Sequence, residues 1–214
     1  MKATLTPRHR APLLMKVLKY SYETLSEHYP RLIAEIEKNE YMYVYTSEDF
    51  FSLKPFEYEL VNRRKAVIKF FESDEKVQGD ALFLCAVKDG KIHFCREYFA
   101  QGIYNDNFFT YNDNTSQRLC CYVNKGKVEA KSAETLKKSP NGAPLAFKRF
   151  GYFGNELTQY SSSTENLDVH SKFYDVHLQE VSSSQLLLEI LSMSELQRAY
   201  HVDAQGEKSL IYDT

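Results

Sequence analysis

Two short segments constrain the fold of this chain more than any other feature of its sequence. Residues Val87–Ile92 read VKDGKI, and residues Val123–Val128 read VNKGKV. In each, a turn dipeptide ending in Gly separates two stretches with alternating apolar and polar residues, and Asp-Gly favours the type I′ turn of hairpins. Both segments therefore predict antiparallel β-hairpins. Three pairs are expected to face each other in the first: Val87 with Ile92, Cys85 with Phe94, and Leu84 with Cys95.

The spacing of apolar residues before position 79 is that of helices. A first helix is expected from Pro12 and should end before Pro30, because the residue preceding a proline avoids the helical region. Its apolar face would comprise Leu14, Val17, Leu18 and Leu25. A second helix is expected from Pro30 and a third from Pro55 to Phe71. Tyr41–Tyr45 alternates aromatic and aliphatic residues, which predicts one strand between them.

After position 79 the alternation of strands predominates. Further strands are expected at Leu145–Phe153, at residues 172–181 and at Ser209–Tyr212. Ser182 and Gln185 form a capping-box pattern, which indicates a helix over Leu186–Leu191, although a buried strand fits the same run. Helices followed by strands favour the α+β class, with N-terminal helices packed on a mainly antiparallel sheet. We expect one domain over residues 1–214, mainly helical in 1–78 and mainly β in 79–214.

Composition excludes several classes of protein. With 43% hydrophobic and 26% charged residues, the chain is neither disordered nor of low complexity. It contains no apolar run of membrane-spanning length and no signal-peptide pattern near Met1, so a cytoplasmic protein without a membrane partner is expected. The four cysteines form no CxxC pair, and we expect reduced, buried thiols, no metal and no cofactor.

Charge is distributed unevenly along the chain. Residues 1–22 contain five cations and no acid, whereas residues 151–214 contain ten acids and three cations. Three interpretations remain open. The first helix could dock on an acidic C-terminal surface, the two ends could mediate self-association or contact with another protein, or the basic arm could bind nucleic acid.

The most distinctive stretch is Tyr104–Asn114, in which YNDN occurs twice around Phe-Phe-Thr. Asn and Asp favour local turns, so the stretch predicts a loop. Tyr and Asn are also typical of contact surfaces, since Tyr provides area at low entropy cost. The candidate partner-binding residues are Tyr104, Asn105, Asp106, Phe108, Phe109, Tyr111 and Asp113.

A second candidate surface combines basic and aromatic residues. Residues 148–153 read KRFGYF, and an exposed strand of this kind can stack bases and contact phosphates. Buried core aromatics fit the same pattern. The candidate nucleic-acid-binding residues are Arg8, Arg10, Arg63, Arg64, Lys148, Arg149, Phe150 and Tyr152.

Patterns that would indicate catalysis are weak. His93, Cys95 and Glu97 share one strand face, but same-face neighbours lie about 6.5–7 Å apart, too far for a hydrogen bond without leaning. Two DVH triplets, which suggest a metal site, occur at Asp168–His170 and Asp175–His177. A Glu-x-Lys triplet at Glu129–Lys131, with Asp113 upstream, loosely resembles a nuclease pattern. Patterns of both kinds are expected by chance at this composition. The sequence therefore favours a non-enzymatic binding protein acting through protein contacts or self-association, with nucleic-acid binding as the alternative.

Overall fold

The computed structural model describes residues 7–47, 52–65, 69–76, 82–152 and 154–214, with the backbone alone for residues 7–14. Within these ranges, twelve strands form one antiparallel sheet in which every strand pairs with its neighbours in sequence. The strands are β1 (Met42–Thr46), β2 (Leu82–Lys88), β3 (Lys91–Ala100), β4 (Ile103–Asn112), β5 (Thr115–Asn124), β6 (Lys127–Lys138), β7 (Pro144–Gly151), β8 (Asn155–Ser162), β9 (Asn166–Tyr174), β10 (Glu180–Ser192), β11 (Glu195–Val202) and β12 (Lys208–Asp213).

Three helices and a 3-10 turn at Asp74–Lys76 accompany the sheet: α1 (Pro7–Glu23), α2 (Leu25–Lys38) and α3 (Glu57–Asn62). The chain is thus mainly antiparallel β with N-terminal helices, consistent with the expected α+β class. No helix in the described ranges is long and apolar enough to cross a membrane.

The expected helix boundaries were wrong in two places. Pro30 lies inside α2, and the break comes at Thr24 instead. Packing of one face of α2 against the sheet overrides the local preference of proline. α3 ends at Asn62, because Arg63 takes a left-handed conformation. The rest of the expected third helix includes residues 66–68, outside the described residues, and Phe71, which bridges to Tyr45 of β1.

The helices α1 and α2 cover one face of the sheet, here called the outer face. Met15 and Leu18 of α1 pack on Ala133 and Phe150 of β6 and β7. Val17, expected on the same apolar face, is 63% exposed. Since α1 makes its main sheet contacts with β6 and β7, the expected docking on the acidic C-terminal strands is not its main packing.

The α2 helix covers the neighbouring part of the outer face. Its Tyr29 and Leu32, together with other partly buried side chains of α2, pack against Ala86, Phe94 and Phe108 of β2 to β4. The described helices thereby shield the outer face of the central strands. The opposite face of those strands faces a different part of the chain.

That opposite side, the inner face, is covered by the segment between β1 and β2. Leu53, Phe56 and Leu60 pack against a core that includes Phe147, Leu167 and Leu188. Leu53 also contacts the separate inner cluster around Phe83 and Cys85. Segment 52–62 therefore joins the two halves of the inner core.

Both Gly-containing turns form hairpins as expected. Asp89 and Gly90 have φ values of 51° and 69°, as a type I′ turn requires. Val87 faces Ile92, but a bulge between Ala86 and Val87 shifts the remaining pairs by one residue. Cys85 consequently faces Cys95, and the expected pairings of Cys85 with Phe94 and Leu84 with Cys95 were wrong.

Three other local expectations were also wrong. Tyr104–Asn114 is not a loop but forms β4 and its turn. Leu186–Leu191 belongs to β10, so of the two interpretations left open there the strand is confirmed and the capping-box helix was wrong. The expected strand over 172–181 is interrupted by a turn in which Asp175 Oδ1 accepts hydrogen bonds from the backbone N–H groups of His177 and Gln179. Pairing with neighbouring strands overrode local preference in the first two segments.

Candidate ligand-binding site

A polar cavity of about 200 Å³ lies on the inner face, along strands β2 to β7. Its lining is unusual for a sheet interior because charged and amide side chains predominate. These side chains are Glu97, Asn105, Asn107, Arg118, Lys131, Glu134 and Arg149. Buried groups of this kind require hydrogen-bond or ionic partners, so their contacts decide what the cavity can hold.

Strand alternation and register bring these side chains together. Asn105 and Asn107 are two apart on β4 and therefore point to the same, inner face. Arg118 faces Glu134 across β5 and β6, and Glu134 faces Arg149 of β7. The row continues to Glu156 of β8, opposite Arg149. Alternating charges directly opposite one another stabilise neighbouring strands.

A β-bulge shapes one side of the cavity. Cys120 faces Ser132 and Cys121 faces Ala130, which leaves Lys131 as the extra residue of β6. A Cβ atom on Gly151 would lie 2.6 Å from the carbonyl oxygen of Lys131, so only glycine fits there. Bulges redirect side chains and are common beside functional sites. Here the bulge places Lys131 on the cavity lining.

Some hydrogen-bonding capacity of the residues that line the cavity is unused within the described structure. Asn105 Nδ2 donates to Glu97 Oε2 at 2.7 Å, whereas Asn105 Oδ1 has no hydrogen-bond partner among the described residues. Asn105 is only 2% exposed. Within the same described part, Glu134 Oε2 and Arg149 Nε likewise lack hydrogen bonds. An unsatisfied buried polar group costs about 1–3 kcal/mol, and each of these three atoms has less than 1 Å² of accessible surface.

The Arg149 guanidinium is held in place from outside the cavity. Its Nη2 donates to Glu156 Oε2 at 2.9 Å, and its Nη1 lies 3.7 Å from Glu57 Oε1. Lys54 Nζ donates to Glu156 Oε1 at 2.5 Å, and Thr158 Oγ1 donates to the same oxygen. Segment 52–62 thus anchors the arginine that lines the cavity.

Glu134 and Glu156, the two buried carboxylates of this row of alternating charges, differ in how well nearby cations compensate their charge. Burial raises the pKa of Glu134, and the nearby Arg118 and Arg149 only partly oppose it. Arg118 Nε is 3.5 Å from Glu134 Oε2, longer than a normal hydrogen bond. Burial also acts on Glu156, but the Lys54 ion pair and hydrogen bonds outweigh it and lower its pKa. Glu134 is therefore the less well compensated carboxylate.

Two of the four cysteines, Cys120 and Cys121, have little nucleophilic character. Burial raises the pKa of the Cys120 thiol, which lines the cavity, to about 11. Burial raises the pKa of Cys121 as well. The ring of His93 stacks near Tyr41 and Tyr111 at 5.4 and 5.6 Å between centroids, while Cys95 Sγ lies 3.3 Å from Cys85 Sγ. Among the described residues, His93 therefore makes no hydrogen bond to the Cys95 thiol.

The candidate partner-binding stretch is mostly interior. Asn105, Asp106, Phe108 and Phe109 are buried, and Asp113 is exposed. Tyr104 and Tyr111 are half-buried. The interpretation of this stretch as an exposed loop was therefore wrong. Its Asn105 nevertheless lines the cavity.

The candidate nucleic-acid residues of β7 are divided between the two faces. Arg149 is on the inner face, and half-buried Lys148 points the other way by strand alternation. Phe150 is buried against α1, where its ring lies 5.3 Å from that of Tyr22. Tyr152 is 79% exposed. These four residues therefore do not form a continuous basic and aromatic face.

The remaining candidate cations lie elsewhere. Arg63 NH1 donates to the carbonyl oxygen of Ile211, and the Arg64 guanidinium lies 5.7 Å from the centre of the Tyr58 ring. The side chains of Arg8 and Arg10 lie outside the described residues. Lys131 of the weak nuclease pattern lines the cavity, while its Glu129 forms an ion pair with Lys127.

The two DVH triplets do not converge. Asp168 and His170 lie on β9, while Asp175 orders the following turn. Across the described ranges, no group of three or more His, Cys, Asp or Glu side chains could hold a metal ion.

Sequence reasoning missed the residues that complete the cavity. Arg118 and Glu134 each stand alone in an alternating stretch, where a charged residue usually faces solvent. Only the pairing of β5 with β6 brings them together. Comparison of the sequence with protein-family models and with curated proteins finds no match. A functional assignment therefore depends on the geometry of the cavity.

Proposed function

We propose that this chain is a non-enzymatic binding protein and that the polar cavity of the inner face is its ligand site. One observation supports the proposal above all others. Seven charged or amide side chains line this one cavity, and three of them, on Asn105, Glu134 and Arg149, each carry a buried polar atom without a hydrogen bond within the described structure. Native interiors satisfy most such atoms, and convergent polar groups are typical of ligand sites.

Binding suits this lining better than catalysis. Cys120 and Ser132 both line the cavity. The pKa of the Cys120 thiol is about 11, which leaves little thiolate at neutral pH. Ser132 Oγ donates to Glu134 Oε1 at 3.3 Å, and the Arg149 guanidinium is committed to Glu156 and lies near Glu57. A lining of ion pairs such as these can orient a ligand.

Contact with another protein and self-association remain predictions from the sequence. Of the stretch that suggested them, Tyr104, Tyr111 and Asp113 retain exposed surface. Nucleic-acid binding also remains a prediction, without a continuous basic face among the described β7 residues to support it.

The experiment that tests the proposal is a chemical-shift titration of isotope-labelled protein. The probe is a defined mixture of monosaccharides, amino acids, small carboxylates and inorganic phosphate. We expect the side-chain amide signals of Asn105 and Asn107 to shift, because both amides line the cavity.

Substitution at one position supplies the matched pair of variants. Cys120→Met should abolish the shifts, since the longer side chain fills part of the cavity, while Cys120→Ala leaves it open and should preserve them. Shifts that survive in Cys120→Met, or no shift with any probe in the folded wild type, would refute the proposal.

A further inference from the structure

Two of the buried cysteines lie directly opposite each other in the sheet. Cys85 of β2 pairs with Cys95 of β3 in the register of these strands. The Cys85 thiol donates a hydrogen bond to Cys95 Sγ, and the two sulfur atoms are 3.3 Å apart. We propose that Cys85 and Cys95 form a redox modification site, at which a small disulfide oxidant converts the two thiols into an intramolecular disulfide. This inference does not depend on the ligand site proposed above.

The backbone of β2 and β3 already has the geometry that a disulfide needs. Directly opposite residues of antiparallel strands have Cα atoms about 4.5–5.5 Å apart, within the range of about 4.4–6.8 Å that is typical of disulfides. A sulfur–sulfur bond is about 2.05 Å long, so the two sulfur atoms must approach each other by about 1.3 Å. A change of this size requires rotation of two side chains and no new pairing of strands.

The other two cysteines are not placed for the same reaction. Cys120 and Cys121 are adjacent on β5 and therefore point to opposite faces of the sheet. Asn107 of β4 lies between Cys95 and Cys120 in the register. Neighbouring strands are about 4.7–4.9 Å apart, so two strand spacings separate Cys95 from Cys120, which is too far for a disulfide. The register therefore favours Cys85 and Cys95 as the pair.

The reaction is thiol–disulfide exchange with a low-molecular-weight disulfide, for which oxidised glutathione is the probe. One cysteine loses its proton to water and attacks the oxidant, which forms a mixed disulfide and releases one glutathione thiolate. The second cysteine, also deprotonated, attacks the cysteine sulfur of the mixed disulfide and releases the second glutathione thiolate. Each released thiolate takes up one proton. Two cysteine thiols are thus oxidised, and one glutathione disulfide is reduced to two thiols.

Access of the oxidant to the pair requires local opening of the structure. Cys85 and Cys95 belong to an apolar cluster with Val44, Phe83 and Phe109, and both cysteines are fully buried. Val44 faces Cys85 from β1, which is five residues long and stands first in the strand order of the sheet. Short terminal elements open more readily than core strands. We therefore expect slow exchange in the folded protein, both when the bond forms and when it is reduced.

The test is treatment of the folded full chain with excess oxidised glutathione. The remaining thiols are then alkylated in urea, and the protein is digested with trypsin without reduction and analysed by mass spectrometry. We expect the free thiols to fall from four to two, and the mass before alkylation to fall by about 2 Da. Residues 77–88 should be linked to residues 92–96, whereas residues 119–125, which contain Cys120 and Cys121, should remain unlinked.

Substitutions provide the matched controls. Cys85→Ala removes one partner, so no linked peptide should form, and Cys95 should gain at most one glutathione. The double substitution Cys120→Ala and Cys121→Ala keeps both partners and should form the same link as the wild type. The oxidised wild type should melt about 5 °C above the reduced protein, because the bond restricts the unfolded chain.

Three results would overturn the proposal. The first is the absence of the linked peptide after prolonged treatment of the folded wild type. The second is a link that forms only in fully denatured protein or that includes Cys120 or Cys121. The third is a lower melting temperature of the oxidised protein, because the bond would then not fit the folded structure.

Discussion

Buried polar groups lie on both faces of β4, and the two sets are satisfied to different degrees. On the outer face, Asp106 accepts two hydrogen bonds from Arg96, each 2.7 Å long, and a third of 2.7 Å from Tyr29 of α2. On the inner face, Asn105 retains an unused oxygen, and the Arg118–Glu134 ion pair is 3.5 Å long. Asp106 thus belongs to a cluster whose polar groups are bonded to one another, here called closed. The adjacent Asn105 belongs to a cluster in which some polar atoms lack a hydrogen bond among the described residues, here called open.

The difference indicates separate roles for two sets of residues with similar burial. A closed cluster with short, bidentate contacts fixes a helix on a sheet and offers nothing to a ligand. An open cluster is stable only when something else satisfies it. We therefore expect substitutions on the outer face to affect stability and substitutions on the inner face to affect binding.

The strongest challenge to this comparison is Arg96→Ala. It leaves the fully buried Asp106 without its ionic partner, and it also removes the guanidinium that lies 4.0 Å from the centre of the Tyr104 ring. We expect a loss of about 3–5 kcal/mol in the free energy of unfolding, measured by urea denaturation. A loss below that of Tyr29→Phe would contradict the structural role of the outer cluster.

Gly151→Ala tests the bulge that shapes the cavity. The added Cβ would meet the carbonyl oxygen of Lys131 at 2.6 Å and the Cβ of Ser132 at 2.9 Å. We expect a loss of up to about 3 kcal/mol, because backbone must shift to make room. Gly90→Ala is the control, since its Cβ would meet no atom within 4 Å and only its positive φ is unfavourable. Equal losses in both variants would exclude a packing role for Gly151.

Tyr29→Phe tests a single hydrogen bond of the cluster on the outer face. It removes the hydroxyl that donates to Asp106 and keeps the ring that packs edge-on against Phe108. We expect a loss of about 2 kcal/mol, as for other hydrogen bonds to a charged group. Ligand binding should not change, because the hydroxyl lies on the outer face. Weaker binding in a stable Tyr29→Phe variant would show that the two clusters are coupled.

The smallest expected effect concerns Glu134 and depends on pH. Burial raises the pKa of Glu134 in the folded state, so protonation of its carboxyl group stabilises the fold. That contribution to the free energy of unfolding is fully present below the ordinary carboxyl pKa. That stability is lost as the pH rises through the raised pKa. Glu134→Gln cannot ionise, so it should exceed the wild type in stability at neutral pH, and the difference should vanish in acid.

Glu156 provides the opposite sign and the control. Its pKa is lowered in the folded state, so its contribution is present above the ordinary carboxyl pKa and is lost as the pH falls through the lowered value. Glu156→Gln should therefore be less stable than the wild type at neutral pH. Urea denaturation of both variants over a range of pH measures the two slopes, and slopes of the same sign would contradict the stated balance of charges.

Turn chemistry made part of the fold predictable. Asp89-Gly90 and Lys125-Gly126 occupy the left-handed positions that their hairpins require. The stretch Tyr104–Asn114 was mispredicted because Asn and Asp favour turns in isolation, whereas Asp106 here gains three hydrogen bonds inside a strand. Local preference is a weak guide where tertiary contacts are this strong.

The site was less predictable than the strands. The sequence drew attention to Asn105 but assigned it to a solvent-exposed loop. Arg118 and Glu134 become partners only through the pairing of β5 with β6, and Lys131 enters the lining through a one-residue bulge. A shift of one residue exchanges the two faces of a strand, so lining residues cannot be inferred without the register.

The sequential order of the twelve strands has a consequence for the order of folding. From β2 to β12 every strand pairs with its neighbours in the chain across a short connection, so each of these pairings closes a short loop at small entropy cost. The ion pair between Lys54 and Glu156 instead joins residues 102 positions apart. Pairings of low sequence separation form fastest, so we expect the strands to assemble hairpin by hairpin and segment 52–62 to dock last. The fixed position of Arg149 beside the cavity would then be among the final features that the folding chain acquires.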